Sequence, residues 1–290
     1  MEKASIILPT YNGTKHIKQS IKSCLGQTYN NLELIIVDDG SSAEILNIVD
    51  SFSDSRIKYI RHEKNKGLAE ALNTGFSNSS GQYLTWTSDD NFYAPDAIKI
   101  MAKKLQENDK IDFVYANYYL VDDAGKMLRR VVPGSIKTMD MNNCIGACFL
   151  YKRKVYEKIG GYNSDFYLAE DYEYWLRIRE KFNMVKLENF LYYYRQHKGS
   201  LSLSNKLSKI EEQAEKASSK YVRPSMRFYH RGKIFFYQKK YFLAQKFFIK
   251  SFLLEPFNIY IWRFMVFTLF CMFAPLFAEK IIKIKNRLIL

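Results

Sequence analysis

Short apolar runs along the first half of this chain alternate with stretches in which apolar residues recur at helical spacing. Ser5-Ile6-Ile7-Leu8 is one such run, halted by Pro9-Thr10-Tyr11-Asn12-Gly13, after which Ile17, Ile21 and Leu25 repeat every fourth position. Leu32-Glu33-Leu34-Ile35-Ile36-Val37 is the next, ended by Asp38-Asp39-Gly40-Ser41-Ser42. A helix over 43–52, a strand over 57–60, a helix over 68–76 and a strand over 83–86 continue the alternation. Strands separated by helices of these lengths predict βαβ units and a mostly parallel sheet. Ligands of such sheets gather at the carboxyl ends of the strands. The loops Pro-Thr-Tyr-Asn, Asp-Asp-Gly-Ser and Ser88-Asp89-Asp90 are therefore expected to converge on one crevice.

Further along, 96–108 reads as a helix, and Phe113 to Tyr118 as a strand entering a hairpin turn at Asp122-Asp123-Ala124-Gly125-Lys126. Another apolar run covers 146–151, a helix over 154–159 is closed by Gly160-Gly161, and a strand follows over 190–194. The segment 201–220, rich in Ser and Lys, reads as a link between two parts.

The chain has 290 residues, 47% of them hydrophobic, enough for one sizeable domain and an extension. A net charge of +14 invites a nucleic-acid reading. Its distribution argues against one: residues 205–290 hold 17 of the 44 Lys and Arg but only 5 of the 30 Asp and Glu, leaving the rest nearly balanced. Cys24, Cys144, Cys148 and Cys271 form no CxxC pair and suit reduced, buried thiols of the cytoplasm. Met1-Glu2-Lys3-Ala4 enters the first run directly, without the apolar region of a signal peptide.

The chemistry centres on Ser88-Asp89-Asp90-Asn91. Adjacent carboxylates repel and call for a cation between them, although Asp and Asn are also ordinary turn residues. The surrounding motifs decide between these readings. Ser-Ile-Ile-Leu-Pro-Thr-Tyr-Asn, Ile-Ile-Val-Asp-Asp-Gly-Ser-Ser, Asn65-Lys66-Gly67-Leu68 with Leu72-Asn73-Thr74-Gly75, Ser88-Asp89-Asp90-Asn91 and Ala169-Glu170-Asp171, in this order, resemble the family 2 glycosyltransferases. The resemblance covers roughly residues 4–200.

It implies the GT-A fold, a Rossmann-like sheet flanked by helices, and inverting transfer of a sugar from a nucleotide sugar, with UDP the expected nucleotide. The last acid of the DxD-type motif, here Asp90, is the expected ligand of Mn²⁺ or Mg²⁺, with His197 placed by analogy near metal or diphosphate. Ser88 stands where the motif usually has its first Asp. Asp89 is expected near the ribose or the metal's waters, and Pro9, Thr10, Tyr11, Asp39, Asn65 and Asn73 complete the nucleotide side. Asp38 stays open between a site role and capping the turn before the 43–52 helix. Asp171, second of the Glu-Asp pair, is the implied general base. Glu170, Trp175 and Arg177 go to acceptor or sugar binding, Trp175 also suiting core packing and Arg177 a diphosphate contact.

Residues 205–258 hold a link and a helical hairpin in which Phe228, Gly232, Phe235, Ala244, Phe248 and Pro256 fall at tetratricopeptide intervals. Residues 259–290 combine a 15-residue uncharged run, 264–278, with a basic amphipathic end on which Lys280, Lys283 and Arg287 share a face. The run is short for a membrane span, so an anchor lying on an anionic membrane surface and a buried helix are the readings, the anchor preferred. The sequence thus predicts a catalytic domain over 1–204 with an α-helical extension. The expected enzyme sits peripherally on the cytoplasmic face of a membrane and glycosylates a growing, lipid-linked surface glycan of the O-antigen, capsule or exopolysaccharide type, the alternatives being a protein or a teichoic-acid-like polymer. A noncatalytic nucleotide-binding scaffold is the alternative of another class. The C-terminal helices also offer a surface for homo-oligomers, and no nucleic acid is expected as partner.

Overall fold

The computed structural model describes residues 1–42, 44–197 and 207–273. Its chain divides into two compact units: Met1–Ile136, Cys144–Asp165 and Arg177–Gln196 form the first, and Lys137–Asn143, Phe166–Leu176 and the chain from His197 onward form the second.

The first unit begins with β1 (Ala4–Thr10), α1 (Ile17–Leu25), β2 (Leu32–Asp38), α2 (Glu44–Asp50), β3 (Ile57–Arg61), α3 (Leu68–Ser77) and β4 (Tyr83–Trp86). Every residue of β1 is buried, and in β2 only Glu33 is not. Strands covered on both faces need apolar residues at every position rather than alternate ones, which is why both read as unbroken runs. Glu33 is tolerated because it accepts hydrogen bonds from Ser5 Oγ and Ser80 N, each 2.6 Å long. The strands β3-β2-β1-β4 lie side by side and parallel, with Thr10 opposite Asp38 and Asp38 opposite Arg61. That register brings their carboxyl ends level along one edge.

Next come β5 (Phe92–Tyr93), α4 (Ala97–Glu107), β6 (Phe113–Val121), β7 (Met127–Val131), β8 (Phe149–Lys152), α5 (Arg153–Ile159), α6 (Glu170–Arg179) and β9 (Met184–Arg195). The sheet continues through β8, antiparallel to both β4 and β6, then through β6 and β9, which are parallel; β7 hangs on β6 and β5 on β9. Helices α1 and α4 turn Ile17, Ile21 and Cys24, and Ile98, Met101 and Leu105, into a core shared with Leu8, Leu34, Ile36 and Val114. Two features differ from the sequence reading. The two-residue β5 is too short to carry a periodic signal. Strand β9 starts at Met184 rather than near 190, because Lys186, Glu188 and Asn189 interrupt its apolar pattern and its register against β6 shifts at Asn117.

The second unit is helical after 207: α7 (Leu207–Ser218), α8 (Pro224–Tyr237), α9 (Tyr241–Leu254) and α10 (Ile259–Phe273). Pro224 opens α8, where a missing N–H leaves no hydrogen bond unmade. Helices α8 and α9 form a hairpin in which the rings of Phe228 and Phe235 meet Phe247, while Ala244 and Phe248 are fully buried. Phe252 meets Trp262 on α10 with ring centres 5.0 Å apart. Phe242, Leu253, Phe257 and Phe273 face solvent. At 15 residues α10 is about 22 Å long against the ~30 Å of a hydrocarbon core. Among the described residues no helix is long and apolar enough to cross a membrane. The basic end carrying Lys280, Lys283 and Arg287 lies outside the described residues.

Candidate active site

The level ends of β1, β2 and β4 are tied together by hydrogen bonds between their loops. Asp39 N donates to Thr10 O at 2.9 Å, Asn12 N to Ser41 Oγ at 2.8 Å and Ser42 N to Asn12 Oδ1 at 2.9 Å. Asn12 adopts a left-handed backbone (φ 57°), which Asn tolerates better than most residues. Thr10 Oγ1 donates to Asp89 Oδ2 at 2.6 Å, and Ser20 Oγ holds Ser88 O at 2.9 Å. Gly13 permits this approach, since a Cβ there would lie 1.8 Å from Asp89 Oδ2. The three loops that the sequence singled out do meet.

Asp38 and Asp39 divide their work. Asp38 is fully buried, accepting from Ser41 N at 2.8 Å and from Tyr59 Oη at 2.6 Å, so it caps its turn. Asp39 accepts from Lys66 N and Gly67 N at 2.9 and 2.8 Å and from His62 Nδ1 at 2.7 Å. A carboxylate only accepts, so Nδ1 of His62 carries the proton, and Nε2 meets Thr74 Oγ1 at 2.9 Å. Asp39 thereby shapes the loop bearing Asn65, whose side chain is exposed. Gly40, at φ +78°, completes the fit: a Cβ would fall 2.6 Å from the carbonyl carbon of Lys64. His62 had no role in the sequence reading, and a lone His among charged residues gives no signal for one.

Asp90 is half-buried, and its backbone is fixed by a residue the sequence reading passed over. Arg195, 1% exposed at the end of β9, donates from Nε to Asp90 O at 2.8 Å, from Nη1 to Asp122 O and Asp123 O at 3.1 and 2.7 Å, and from Nη2 to Gln19 Oε1. Its own N–H donates to Asn91 Oδ1 at 2.8 Å. Among the described residues no three His, Cys, Asp or Glu side chains gather as a metal cluster. Mg²⁺ characteristically takes one or two carboxylates, several waters and substrate phosphates, so a half-exposed carboxylate on a braced backbone is a donor that fits it. His197 is half-buried and falls in the second unit.

Several other candidates have structural employment. Asn73 donates to Tyr162 O at 2.9 Å and accepts from Tyr162 N at 2.7 Å, which pins the turn after α5. Arg177 donates to Ile159 O and Gly161 O, both at 2.8 Å, and braces the same turn. Trp175 is completely buried and packs against Tyr174 with ring centres 5.6 Å apart, a core position closed to sugars. Pro9 is buried within β1, whereas the Tyr11 side chain is 53% exposed beyond it.

In the second unit Glu170 and Asp171 head α6. Asp171 Oδ2 accepts from Asn143 Nδ2 at 2.7 Å, and Oδ1 from Tyr172 N at 2.7 Å. Burial pushes its carboxyl upward, against the pull of these donors. Glu170 is 8% exposed, its Oε2 has no hydrogen-bond partner, and burial together with the Asp171 charge raises it to about 7. A cavity of about 130 Å³ is lined by Asp171, Asn143, Glu211, His230 and Lys233, among others, and not by Glu170. Asp171 therefore has access to a space in which a proton donor could sit.

Residues 5–160 match the protein family described as glycosyl transferase family 2. An uncharacterized glycosyltransferase of Rickettsia felis is 34% identical over 187 residues, 60% of this chain and 31% of that protein, so the chain spans about a third of its length. The UDP-Glc:alpha-D-GlcNAc-diphosphoundecaprenol beta-1,3-glucosyltransferase WfaP of Escherichia coli is 32% identical over 222 residues, 74% of this chain and 85% of that one. Mannosyltransferase PcManGT of Pyrobaculum calidifontis, solved with GDP-Man and Mn²⁺, superposes with a TM-score of 0.61 at 14% identity, covering 96% of this chain and 87% of that chain. Its likeness shows the fold, that of the GT-A glycosyltransferases.

Proposed function

Because this chain belongs to glycosyl transferase family 2 and is a glycosyltransferase, we propose that it transfers a sugar from a UDP-sugar, with inversion, to a hydroxyl of a growing lipid-linked surface glycan. The observation that carries this reading is the joining of the β1, β2 and β4 ends through Thr10, Asp39 and Asp89 at the edge where parallel sheets take ligands. WfaP, a relative across most of its length, supports the UDP-sugar and the lipid diphosphate acceptor.

In this reading Tyr11 lies against the nucleobase, beside Pro9 and Thr10, and Asp39 with Asn65 shapes the base pocket. Ser88 and Asp89 face the ribose, and Asn73 acts from behind by fixing its turn. Mg²⁺ or Mn²⁺ on Asp90 would supply neutralisation of the diphosphate's charge as the sugar leaves. Asp171 takes the proton of the acceptor hydroxyl, its burial making it a stronger base than a solvated carboxylate. Glu170 orients the acceptor. The solvent-facing Phe242, Leu253, Phe257 and Phe273 support peripheral attachment to an anionic membrane. An open apolar groove of about 1000 Å³, lined by Tyr229, Trp262, Phe264 and Phe267 with Arg263, supports a polyprenyl-linked acceptor.

The test is a thermal-shift and hydrolysis screen of UDP-, GDP- and dTDP-sugars with Mg²⁺ or Mn²⁺, followed by transfer to a GlcNAc-diphosphate-lipid. We expect one UDP-sugar to stabilise the chain and be transferred, and Asp90→Asn to abolish the metal dependence of binding. Response to a GDP-sugar alone would remove UDP, and transfer to a soluble polymer in preference to the lipid would remove the proposed acceptor.

A further inference from the structure

Glu211 on α7 and His230 and Lys233 on α8 are 7%, 1% and 4% exposed, and the nucleotide and proton-transfer roles above use none of them. His230 Nδ1 faces Glu211 Oε1, and Nε2 lies 2.8 Å from Asp140 O. The ring thus bridges a carboxylate oxygen on α7 and a backbone carbonyl. Lys233 Nζ donates to Glu211 Oε2 at 2.9 Å, to Met141 O at 3.2 Å and to Asn142 Oδ1 at 3.1 Å, which employs all of its protons. Each of the residues Asp140, Met141 and Asn142 is thus gripped in turn. Asn143, the next residue, donates to Asp171 Oδ2, and Tyr172 Oη ties the other end of the strap to α6 through Met139 O at 2.6 Å.

We propose that Glu211, His230 and Lys233 are positioning residues for Asp171, acting through the strap 139–143 so that Asn143 holds the carboxylate at one angle. This rests on the reading of Asp171 as general base. Burying the Glu211–Lys233 ion pair is expensive unless its remaining hydrogen bonds are made, and here Lys233 and His230 are aimed at backbone carbonyls of a short irregular segment. An apolar helix pair would have packed as well without fixing that segment. The arrangement makes the helical extension part of the catalytic apparatus without contact with substrate.

The test measures the full-length chain with its donor and acceptor. Glu211→Gln with Lys233→Met removes one charge of each sign, and the Gln amide oxygen can still accept from His230 Nδ1. Its kcat should fall about thirtyfold with donor KM within twofold of wild type, and Asn143→Ala should fall as far. The triple variant should lose no more than Asn143→Ala alone, because both act through one hydrogen bond. Losing the Asn143 donor also moves the acidic limb of kcat to higher pH, since that bond favours the ionised Asp171. Glu170 and Tyr172 on the same helix and Glu211, His230 and Lys233 across the cavity are the other titratable groups beside Asp171 among the described residues, and the Gln and Met changes together alter no net charge among them. Should the double variant melt at assay temperature, His230→Gln, which keeps a donor toward Asp140 O, should retain several-fold more kcat than His230→Leu. Wild-type kcat and an unmoved acidic limb in a folded double variant, or equal losses in the two His230 variants, overturn the positioning role while an inactive Asp171→Asn still upholds the base. Normal turnover by Asp171→Asn overturns both.

Discussion

Asp39 and Glu170 are buried to a similar degree, 3% and 8% exposed, yet their oxygens meet opposite surroundings. Backbone N–H groups of Lys66 and Gly67, in the loop before α3, converge on Asp39 together with His62, so both oxygens accept hydrogen bonds. Glu170 has one oxygen without a partner and another carboxylate next to it in sequence. A buried acid surrounded by donors keeps its charge and acts as a fixed brace. A buried acid short of donors and beside a like charge holds its proton up to neutral pH. In the proposed reading the strand ends of the first unit offer fixed, fully bonded acids, and the head of α6 offers acids that can exchange a proton.

The hardest blow to this contrast falls on Asp171. Asp171→Asn keeps the shape and the Asn143 contact but cannot accept a proton, and kcat should fall about 10³-fold, within the range a general base contributes. Donor binding, followed by thermal shift, should stay unchanged. A matching fall in donor affinity would place Asp171 among the braces instead.

Arg195→Met tests the bracing side. It removes the donors from the carbonyls of Asp90, Asp122 and Asp123 while keeping an apolar stem beside Phe92. Stability should drop by about 3 kcal/mol, the scale for buried acceptors left unsatisfied. Donor KM should rise more than kcat falls, since the seat of Asp90 is disturbed and Asp171 is untouched. Urea unfolding and steady-state kinetics on the same samples separate the two effects.

Arg195 also marks where the sequence stopped being informative. The parallel strands were legible because burial on both faces leaves unbroken apolar runs, and the loops after them because Pro-Thr-Tyr-Asn and Asp-Asp-Gly-Ser must follow such runs. The partners of Arg195 are carbonyl groups and an amide far away in the chain, and a backbone carbonyl leaves no mark on sequence. The same holds for His230 against Asp140 O and for Lys233 against Met141 O. Trp175 and Arg177 were ambiguous for the converse reason: both types serve sugar and phosphate sites as well as packing and bracing, and nothing in the pattern of α6 tells which of its faces is covered. Glu170 was visible as a residue, but its poverty of donors was not.

Glu170→Gln sharpens the contrast through pH. The wild-type carboxyl titrates at about 7 when folded against an ordinary value of 4.5. Its contribution to stability is full below about pH 4.5, where folded and unfolded chains are both protonated, and is lost as pH rises through 7. Glutamine never ionises, so the variant should exceed wild type by about 2–3 kcal/mol at pH 8, with the gap closing toward pH 5. Melting curves across that range measure it. A gap that is constant with pH would mean that Glu170 is ionised in the fold after all.

Thr10→Val makes the mildest test, and it bears on why the strand-end acids need their donors. Valine keeps the β-branched shape that suits β1 but deletes the hydroxyl on Asp89 Oδ2. Asp89 is half-buried, so water can replace the lost donor in part, and the stability cost should be about 1 kcal/mol, below that of a fully buried acceptor. Donor affinity should weaken about threefold to tenfold, because a carboxylate that has lost the Thr10 bond is less firmly oriented and the nucleotide must then order it on binding. A stability loss without any change in donor affinity would show that this hydrogen bond serves only to join β1 to β4, and would confine the fixed charges of the crevice to Asp39 and Asp90.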